Sequence, residues 1–576
     1  MTTRISRRDA RPVPEDLAAN LHPVLARVLA ARDVLSMSEL DNGLDRLLPA
    51  ASLTGLDDAV GLLTDALAND KRILVVADFD ADGATGCAVA VRGLRLLGAR
   101  HVDYVVPNRF EFGYGLTPEI VAFAEDREPQ LLITVDNGIS SIDGVAAAAD
   151  RDIPVIITDH HLPGEQLPRA AAIVNPNQPG DAFPSKCLAG VGVMFYLLVA
   201  LRAALRAGDW FAGRAVEEPN LGRLLDLVAL GTVADVVPLD PNNRILVAQG
   251  ITRIRNGRAH PGIEALLNVA GRDRDRVAAA DLAFAVAPRL NAAGRLTDMT
   301  LGIECLLSDE PAAAARMATR LDALNRQRRD IEARMRDQAV AQVEALSFES
   351  DDKLPRGLCL FDADWHPGVV GIVASRIKDR LHRPVIAFAP DGEDMLKGSA
   401  RSVGGVHIRD ALDTIAARHA GLLSKFGGHA MAAGLSLHRE RFEEFRDAFD
   451  VEVRRHLGAD EMRGAILSDG PLEATDIGLD LARQLRGAGP WGQGFPEPVF
   501  DGEFEVLDSR VVGDVHMKLR LRAGSHADPV DAIAFNALDY WPADAGIVHV
   551  AYKLDVNFYR GRETAQLIVE HADLAS

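Results

Sequence analysis

Three aspartates occupy alternate positions in Asp78-Phe79-Asp80-Ala81-Asp82-Gly83, directly after the apolar run Ile73-Leu74-Val75-Val76. Carboxylates that close at the end of a buried strand repel one another unless something positive lies among them, and a divalent metal ion is the plainest candidate. Three further segments supply the same chemistry: Asp136-Asn137-Gly138, Asp159-His160-His161, and the apolar stretch from Leu225 that closes on Asp235. Aspartate oxygens with histidine nitrogens suit Mg²⁺ or Mn²⁺ first and zinc second. The set is large enough for two ions sharing a bridging carboxylate, an arrangement that clamps the attacking and leaving oxygens of a phosphoryl displacement. Phosphodiester or pyrophosphate hydrolysis is the reaction it suits.

Taken singly, an Asp-Asn-Gly is ordinarily a turn and paired histidines are ordinarily structural. Their recurrence after successive apolar runs sets them apart. Weaker signals lie downstream. Arg289 and Arg295 flank a glycine-bearing turn, and Ser399 and Arg401 follow Gly398. Guanidinium forks, hydroxyls and glycine amides bind phosphate, although surface salt bridges use the same residues. The Gly427-Gly428-His429 segment reads equally as a phosphate device or as a tight turn into a helix. Lys518, Arg520 and Arg522 share one face of a strand that could track a nucleic-acid backbone. Tyr552, Phe558 and Tyr559 offer either base stacking or burial in a barrel.

The elements that must position these groups follow from periodicity. After a leading helical segment, β-branched runs at 73–76, 102–106, 131–135 and 155–157 alternate with alanine-rich helical stretches. This is the pattern of βαβ units and a parallel sheet covered on both faces. Ligands of such sheets bind beyond the carboxyl ends of the strands, where the acidic and histidine clusters fall. Residues 311–348 contain neither glycine nor proline beyond the first position and keep a helical period. A helix of that length would reach about 50 Å and reads as a connector between two lobes. A second α/β unit begins near Leu358, and short alternating runs after residue 463 suggest a small β-barrel.

At 576 residues the chain calls for several domains. The net charge of -20 argues against a whole-surface grip on nucleic acid, while leaving room for a local basic groove. Cys87, Cys187, Cys305 and Cys359 are far apart and suggest neither a disulfide framework nor a zinc knuckle. A reducing cytoplasm is the expected compartment, with no signal peptide and no run able to span a bilayer.

The order of the Asp-x-Asp-x-Asp-Gly, Asp-Asn-Gly, Asp-His-His and Gly-Thr-Val-Ala-Asp segments resembles the DHH phosphoesterase superfamily. Pro107-Asn108-Arg109 with Gly113-Tyr114-Gly115-Leu116, Pro288 to Arg295, Trp365 to Gly371 and Gly427-Gly428-His429 resemble the RecJ single-strand-specific DNA exonucleases in particular. The resemblance implies an α/β fold of two DHH-type lobes plus a C-terminal OB-fold barrel. Its divisions are a helical segment (1–50), a DHH catalytic domain (51–305), a long connecting helix (306–350), a DHH-associated domain (351–462) and the OB-fold (463–576). It implies 5′-to-3′ digestion of single-stranded DNA to mononucleotides in recombination and repair, by a monomer that holds two Mn²⁺ or Mg²⁺ ions. Single-strand-binding protein and a RecQ-type helicase are the implied partners. Carried over, Asp80, Asp82, Asp136, His160 and Asp235 look like metal ligands, with Asp136 as bridge and Asp78 in support, and His161 contacts the scissile phosphate. Arg109, Arg289, Asn291, Arg295, Ser399 and Arg401 match phosphate-handling positions, and His366 and His429 line the second lobe.

Two departures stand out. Val76 occupies a position where many superfamily members have histidine, and Gly494-Phe495-Pro496 replaces a Gly-Asn-Pro turn. The extra C-terminal domain of longer relatives is expected to be absent. The alternatives are a phosphodiesterase of cyclic dinucleotides or short oligonucleotides, and a non-catalytic single-strand-binding scaffold.

Overall fold

β-Branched and other apolar residues build five strands, β1 (Ile73–Ala77), β2 (Val102–Val105), β3 (Leu131–Val135), β4 (Val155–Thr158) and β5 (Ala172–Val174). They are seen in a computed structural model that describes every residue except 1–3, 109–111, 113–114, 215–216, 348–353, 459–463, 514, 538–539, 543–545 and 575–576. All five strands pair in parallel, in the order β2-β1-β3-β4-β5. The three-residue β5 is too short to stand out in the sequence. The chain adds β2 on one side of β1 and then returns to place β3 on the other. This reversal opens a crevice at the carboxyl ends of β1 and β3, the switch point where doubly wound sheets bind ligands.

Alternate residues serve opposite faces. Ile73, Val75, Ala77 and Ile133 enter a core shared with the helices α1 (Ala81–Leu96) and α2 (Gly190–Ala207). Leu74, Val76, Leu132 and Ile157 pack on the other side with Leu116, Ile120 and Val145. Covering both faces explains why the strands read as unbroken apolar runs. Helix α2 is long and apolar enough to cross a membrane, contrary to the expectation that no run is. Its apolarity has a different cause: Val191, Met194, Leu197, Leu198 and Leu201 are wholly buried in this core.

Helices α3 (Leu225–Ala234) and α4 (Pro241–Arg255) pack side by side, and a π-turn at Leu282–Val286 leads into α5 (Ala287–Leu296). The glycine-free stretch is the single helix α6 (Pro311–Ser347), as expected. A short helix α7 (Leu479–Gly487) precedes the C-terminal barrel.

The chain folds as two compact units divided within α6, one of residues 7–325 with 468–576, the other of 1–6 with 326–467. In the second unit, β6 (Leu358–Phe361), β7 (Val385–Pro390), β8 (Met395–Arg401), β9 (Lys425–Gly428) and β10 (Ala432–His438) form a sheet ordered β9-β10-β8-β7-β6. The Gly427-Gly428-His429 segment leads into a hairpin here, not into a helix. Gly428 sits at φ +147°, where a Cβ would lie 2.4 Å from the Ala432 carbonyl oxygen, and His429 N donates to that same oxygen at 2.8 Å.

The barrel contains β11 (Phe500–Val512), β12 (His516–Arg522), β13 (Val530–Ala534), β14 (Ile547–Tyr559) and β15 (Arg562–Leu574), closed in the order β11-β12-β13-β15-β14. Its inner residues Phe500, Leu519, Val550 and Leu567 belong to the same continuous core as Leu17, Leu63 and the α1 side chains. Tyr552 is buried in it and unavailable for base stacking, whereas Tyr559 is exposed. A buried ion pair reinforces the junction: Arg32 Nη1 donates to Asp469 Oδ1 at 2.8 Å, and Asp469 Oδ2 accepts from Val499 N at 3.1 Å.

The α3–α4 contact leaves no room for a side chain at Gly250, where a Cβ would lie 2.2 Å from the Leu225 carbonyl oxygen and 2.4 Å from Ala229 Cβ. Gly250→Ala is therefore expected to cost roughly 1–3 kcal/mol of stability, measurable by urea unfolding.

Candidate metal centre

The loop after β1 is held from three directions. Asp80 caps α1, its Oδ1 accepting from Gly83 N at 3.0 Å. Asp82, in the first turn of α1, is almost wholly buried, and its two oxygens accept from Gly190 N at 2.6 Å and Val191 N at 3.0 Å. Those are the first amides of α2, where unpaired N–H groups and the helix dipole favour an anion. From the third side, Asn291 Oδ1 on α5 accepts from Ala81 N at 2.9 Å. Gly294, one turn on, lies so close that a Cβ there would stand 2.0 Å from the Phe79 carbonyl oxygen.

After β3, Asp136 adopts the left-handed conformation at φ 63°, a strained choice for a residue with a Cβ. Its neighbour Asn137 is fully buried, and its Nδ2 donates to the carbonyls of Val76 at 3.1 Å and Val135 at 2.9 Å. Gly190 gives Asp136 its space, since a Cβ would lie 2.6 Å from the aspartate's Cβ and Oδ1. The Asp-Asn-Gly turn thus ties β1 to β3 while aiming one carboxylate into the crevice.

After β4, Asp159 fixes both histidines. Its Oδ1 accepts from His160 N at 2.7 Å, and lies 2.7 Å from His161 Nδ1. Its Oδ2 accepts from Ile139 N at 2.9 Å. Asn177 Nδ2 and Asn175 Nδ2 donate to the carbonyls of His160 at 2.6 Å and His161 at 2.9 Å. Asp235 closes α3 as its C-terminal cap.

These segments bring three groups of ligand atoms within 4.8 Å: Asp78, Asp80 and Asp136; Asp82, His160 and Asp235; Asp136, His160 and His161. Asp136 and His160 each belong to two. Val76 lies in the apolar cluster on the far face of the sheet and offers no ligand, while Asp78 stands with Asp80 and Asp136.

The electrostatics match a cation site. Burial pushes the Asp136 carboxyl well above its usual range, and the charges of Asp82, Asp80, Asp78 and Asp235 push it further. Asp82 is raised likewise, by burial and then by Asp235 and Asp80. Burial also raises Asp235, against the pull of His160. Burial lowers His160, keeping the imidazole neutral and able to ligate. His160 Nε2 lies 3.4 Å from Asp235 Oδ2, yet both are buried atoms that no hydrogen bond satisfies. A divalent ion between them would satisfy both, and hard oxygen donors with one or two imidazoles fit Mn²⁺ or Mg²⁺.

His161 differs from its neighbour. Burial would lower its pKa, but the hydrogen bond and charge of Asp159, with Asp78 and Asp235, push it up to about 9. For Asp159, burial alone would raise the carboxyl, and His161 holds it below its ordinary value.

Among the phosphate-handling candidates, Arg289 Nη2 pairs with Asp322 Oδ1 at 2.8 Å, an anchor for α5 on α6. Asn291 spends its oxygen on the metal loop, and Arg295 follows Gly294 at the end of α5. Arg109, like Gly113 and Tyr114, lies outside the described residues. His366, Ser399, Arg401 and His429 belong to the other unit. There Arg401 Nη1 donates to Ser399 Oγ at 3.1 Å, and the missing side chain of Gly371 makes room for the pair. His366 Nδ1 accepts from Gly368 N at 3.0 Å. Sequence reasoning named the residues that the fold gathers into these groups but assigned no role to Asp159, Asn137, Asn175 or Asn177. Asparagines and an aspartate flanking strand ends were the only available signal.

In metal-free protein, the His161 ring is expected to titrate near pH 9 by histidine NMR, and Asp159→Asn to bring the midpoint below about 7. The ion pair's contribution to stability is full below the unfolded-state value of roughly 6.5 and is lost as pH rises through about 9. Removing the Ala81 amide's partner in Asn291→Ala is expected to weaken Mn²⁺ binding roughly tenfold by calorimetry.

Comparison with known proteins agrees with this geometry. The DHH family N-terminal domain matches residues 72–232, the DHHA1 domain 354–455 and the RecJ OB domain 468–571. The single-stranded-DNA-specific exonuclease RecJ of Dickeya dadantii (strain 3937) is 54% identical over 97% of this chain and 98% of its own length. The RecJ of Escherichia coli (strain K12) is 52% identical over 96% of both. Among solved structures, RecJ from Thermus thermophilus in complex with Mn²⁺ superposes with a TM-score of 0.81 at 30% identity, over 99% of this chain and 79% of that one. From its metal-ligand segments to its barrel, the chain belongs to the RecJ family of single-stranded-DNA-specific exonucleases.

Proposed function

We propose that this chain hydrolyses single-stranded DNA from its 5′ end, releasing mononucleotides, with two Mn²⁺ or Mg²⁺ ions at the β1/β3 crevice. The observation that carries this reading is the dual membership of Asp136, grouped with Asp78 and Asp80 on one side and with His160 and His161 on the other. Asp78, Asp80 and Asp136 would hold one ion; Asp82, His160, Asp235 and the shared Asp136 would hold the second. Such ions polarise a phosphoryl oxygen and lower the pKa of a water.

The chain's own groups supply the rest. With its Nδ1 engaged by Asp159 and its pKa held above the ordinary histidine value, His161 would offer a charged imidazolium to a phosphate oxygen at the crevice. Asp159 holds that ring in one orientation and keeps it charged. In the second unit, the Arg401 guanidinium donates to Ser399 Oγ and to the Ala400 carbonyl, and among the described residues it pairs with no carboxylate. Burial lowers its pKa, a cost that a phosphate beside it would relieve. The polarity of digestion, the preference for DNA over RNA and action as a cytoplasmic monomer in recombination and repair are parts of the proposal that rest on family resemblance. So does cooperation with a single-strand-binding protein and a RecQ-type helicase.

Asp136→Ala is expected to abolish hydrolysis while leaving strand binding largely intact, measured with single strands labelled at either end. The unsubstituted chain should release the 5′ label first. Release of the 3′ label first would overturn the polarity, and faster turnover of a cyclic dinucleotide than of a long strand would overturn the substrate class.

A further inference from the structure

Past the end of α3, which Asp235 caps, a cavity of about 490 Å³ opens between the ends of α3 and α4, the π-turn, and the segment that follows α7. Its walls are largely apolar. Val236, which directly follows the ligand Asp235, lines it in a left-handed conformation at φ 62° and is more than half exposed. Phe284, in the π-turn, also lines it and is 82% exposed. Val236 and Phe284 thus give one cavity two exposed apolar side chains, the kind of grouped apolar surface that marks a binding site. Trp491 also lines it, stacked on Phe495 at 4.9 Å with ring planes 14° apart and with the Arg32 guanidinium over its ring at 5.4 Å.

The cavity's charge points to the kind of ligand. Arg255 and Arg486 both line it. Arg486 is paired with Asp555 at 3.0 Å, whereas Arg255 donates to the Val277 carbonyl at 2.9 Å and, among the described residues, has no carboxylate within ion-pair distance, Asp281 acting on it only through its charge. The one carboxylate in the lining, Glu497, shares Lys553 with Glu570, each at 3.1 Å. An aromatic, apolar hollow with a guanidinium that no carboxylate among the described residues contacts matches a planar base joined to a phosphate. The volume falls within the range of sites for ligands of that size.

We propose that this cavity seats one nucleotide of the bound strand, its base against Phe284 and its phosphate near Arg255. Resting on the exonuclease reading above, the proposal adds a second point of grip one residue from a metal ligand. The grip would hold the strand by stacking, which tolerates any base sequence.

The test uses the full chain carrying Asp136→Ala and 5′-phosphorylated single strands with one abasic residue placed at successive positions, read by fluorescence anisotropy. One position near the 5′ end should weaken binding about tenfold. Phe284→Ala should weaken the intact strand by the same factor and abolish that positional dependence, whereas Phe284→Trp should preserve it. In the unsubstituted, Mn²⁺-loaded chain, Phe284→Ala should raise KM for release of the first nucleotide about tenfold and leave kcat within about twofold. Because Phe284 is exposed, thermal melting should not change. A flat abasic profile in the parent, or an unaltered one in Phe284→Ala, would overturn the proposal while leaving the exonuclease reading standing. Binding of free deoxyadenosine monophosphate that depends on Phe284, with a flat abasic profile, would reassign the cavity to a free nucleotide and overturn it too. A parent chain that neither binds nor degrades single strands would sink both.

Discussion

Mutual repulsion among buried carboxylates is the constraint around which this molecule is built. Asp78, Asp80, Asp82, Asp136 and Asp235 converge on one crevice, and each raises the cost of ionising its neighbours. Left alone, such a cluster would drive its strand ends apart or take up protons. It stays together because backbone amides, a helix start and a strained turn hold each side chain independently. Asp82 shows this most directly, since both of its oxygens rest on the first amides of α2 before any ion is considered. The convergence is thus preorganised by the fold, with its electrostatic penalty left for a cation to relieve.

The topology makes that holding possible. Because β1 and β3 are neighbours although β2 intervenes in the chain, the loops after them face each other, and Asn137 can bond across to Val76. Glycines then set the distances. Gly190 admits Asp136, and Gly294 lets α5 press against the Phe79 carbonyl. At these positions a methyl group would displace a metal ligand or its supporting loop, so the glycines act through what they leave vacant.

Much of this was legible in the chain. Unbroken apolar runs announced a sheet covered on both faces, and the clusters following them announced a site at strand ends. The absence of glycine and of interior proline from 311–347 announced α6. Side-chain partnerships were not legible, because they depend on which loops the topology brings face to face. Nothing near Asp82 in sequence points to Gly190, and nothing near Asn291 points to Ala81. Arg289, a candidate phosphate group by its chemistry, and Asn291, one by resemblance, also hold the fold together, through Asp322 and the Ala81 amide respectively, partners that no sequence spacing reveals. The hairpin after Gly428 was obscure for a similar reason, since a tight turn permits either a strand or a helix to follow. Val76 illustrates the same limit in reverse. Its type excludes it as a ligand, but only the alternation of β1 shows that its side chain faces the apolar cluster beneath the sheet.

The barrel was expected as a separate module, yet its interior is continuous with that of the sheet that carries the metal ligands. Two parts that share one core are coupled through it, because opening the barrel also exposes apolar side chains packed beside α1. Thermodynamic linkage follows: whatever binds the folded barrel also stabilises the crevice, and an ion in the crevice stabilises the barrel. A strand lying on the barrel would therefore help to keep the distant carboxylates assembled without touching them.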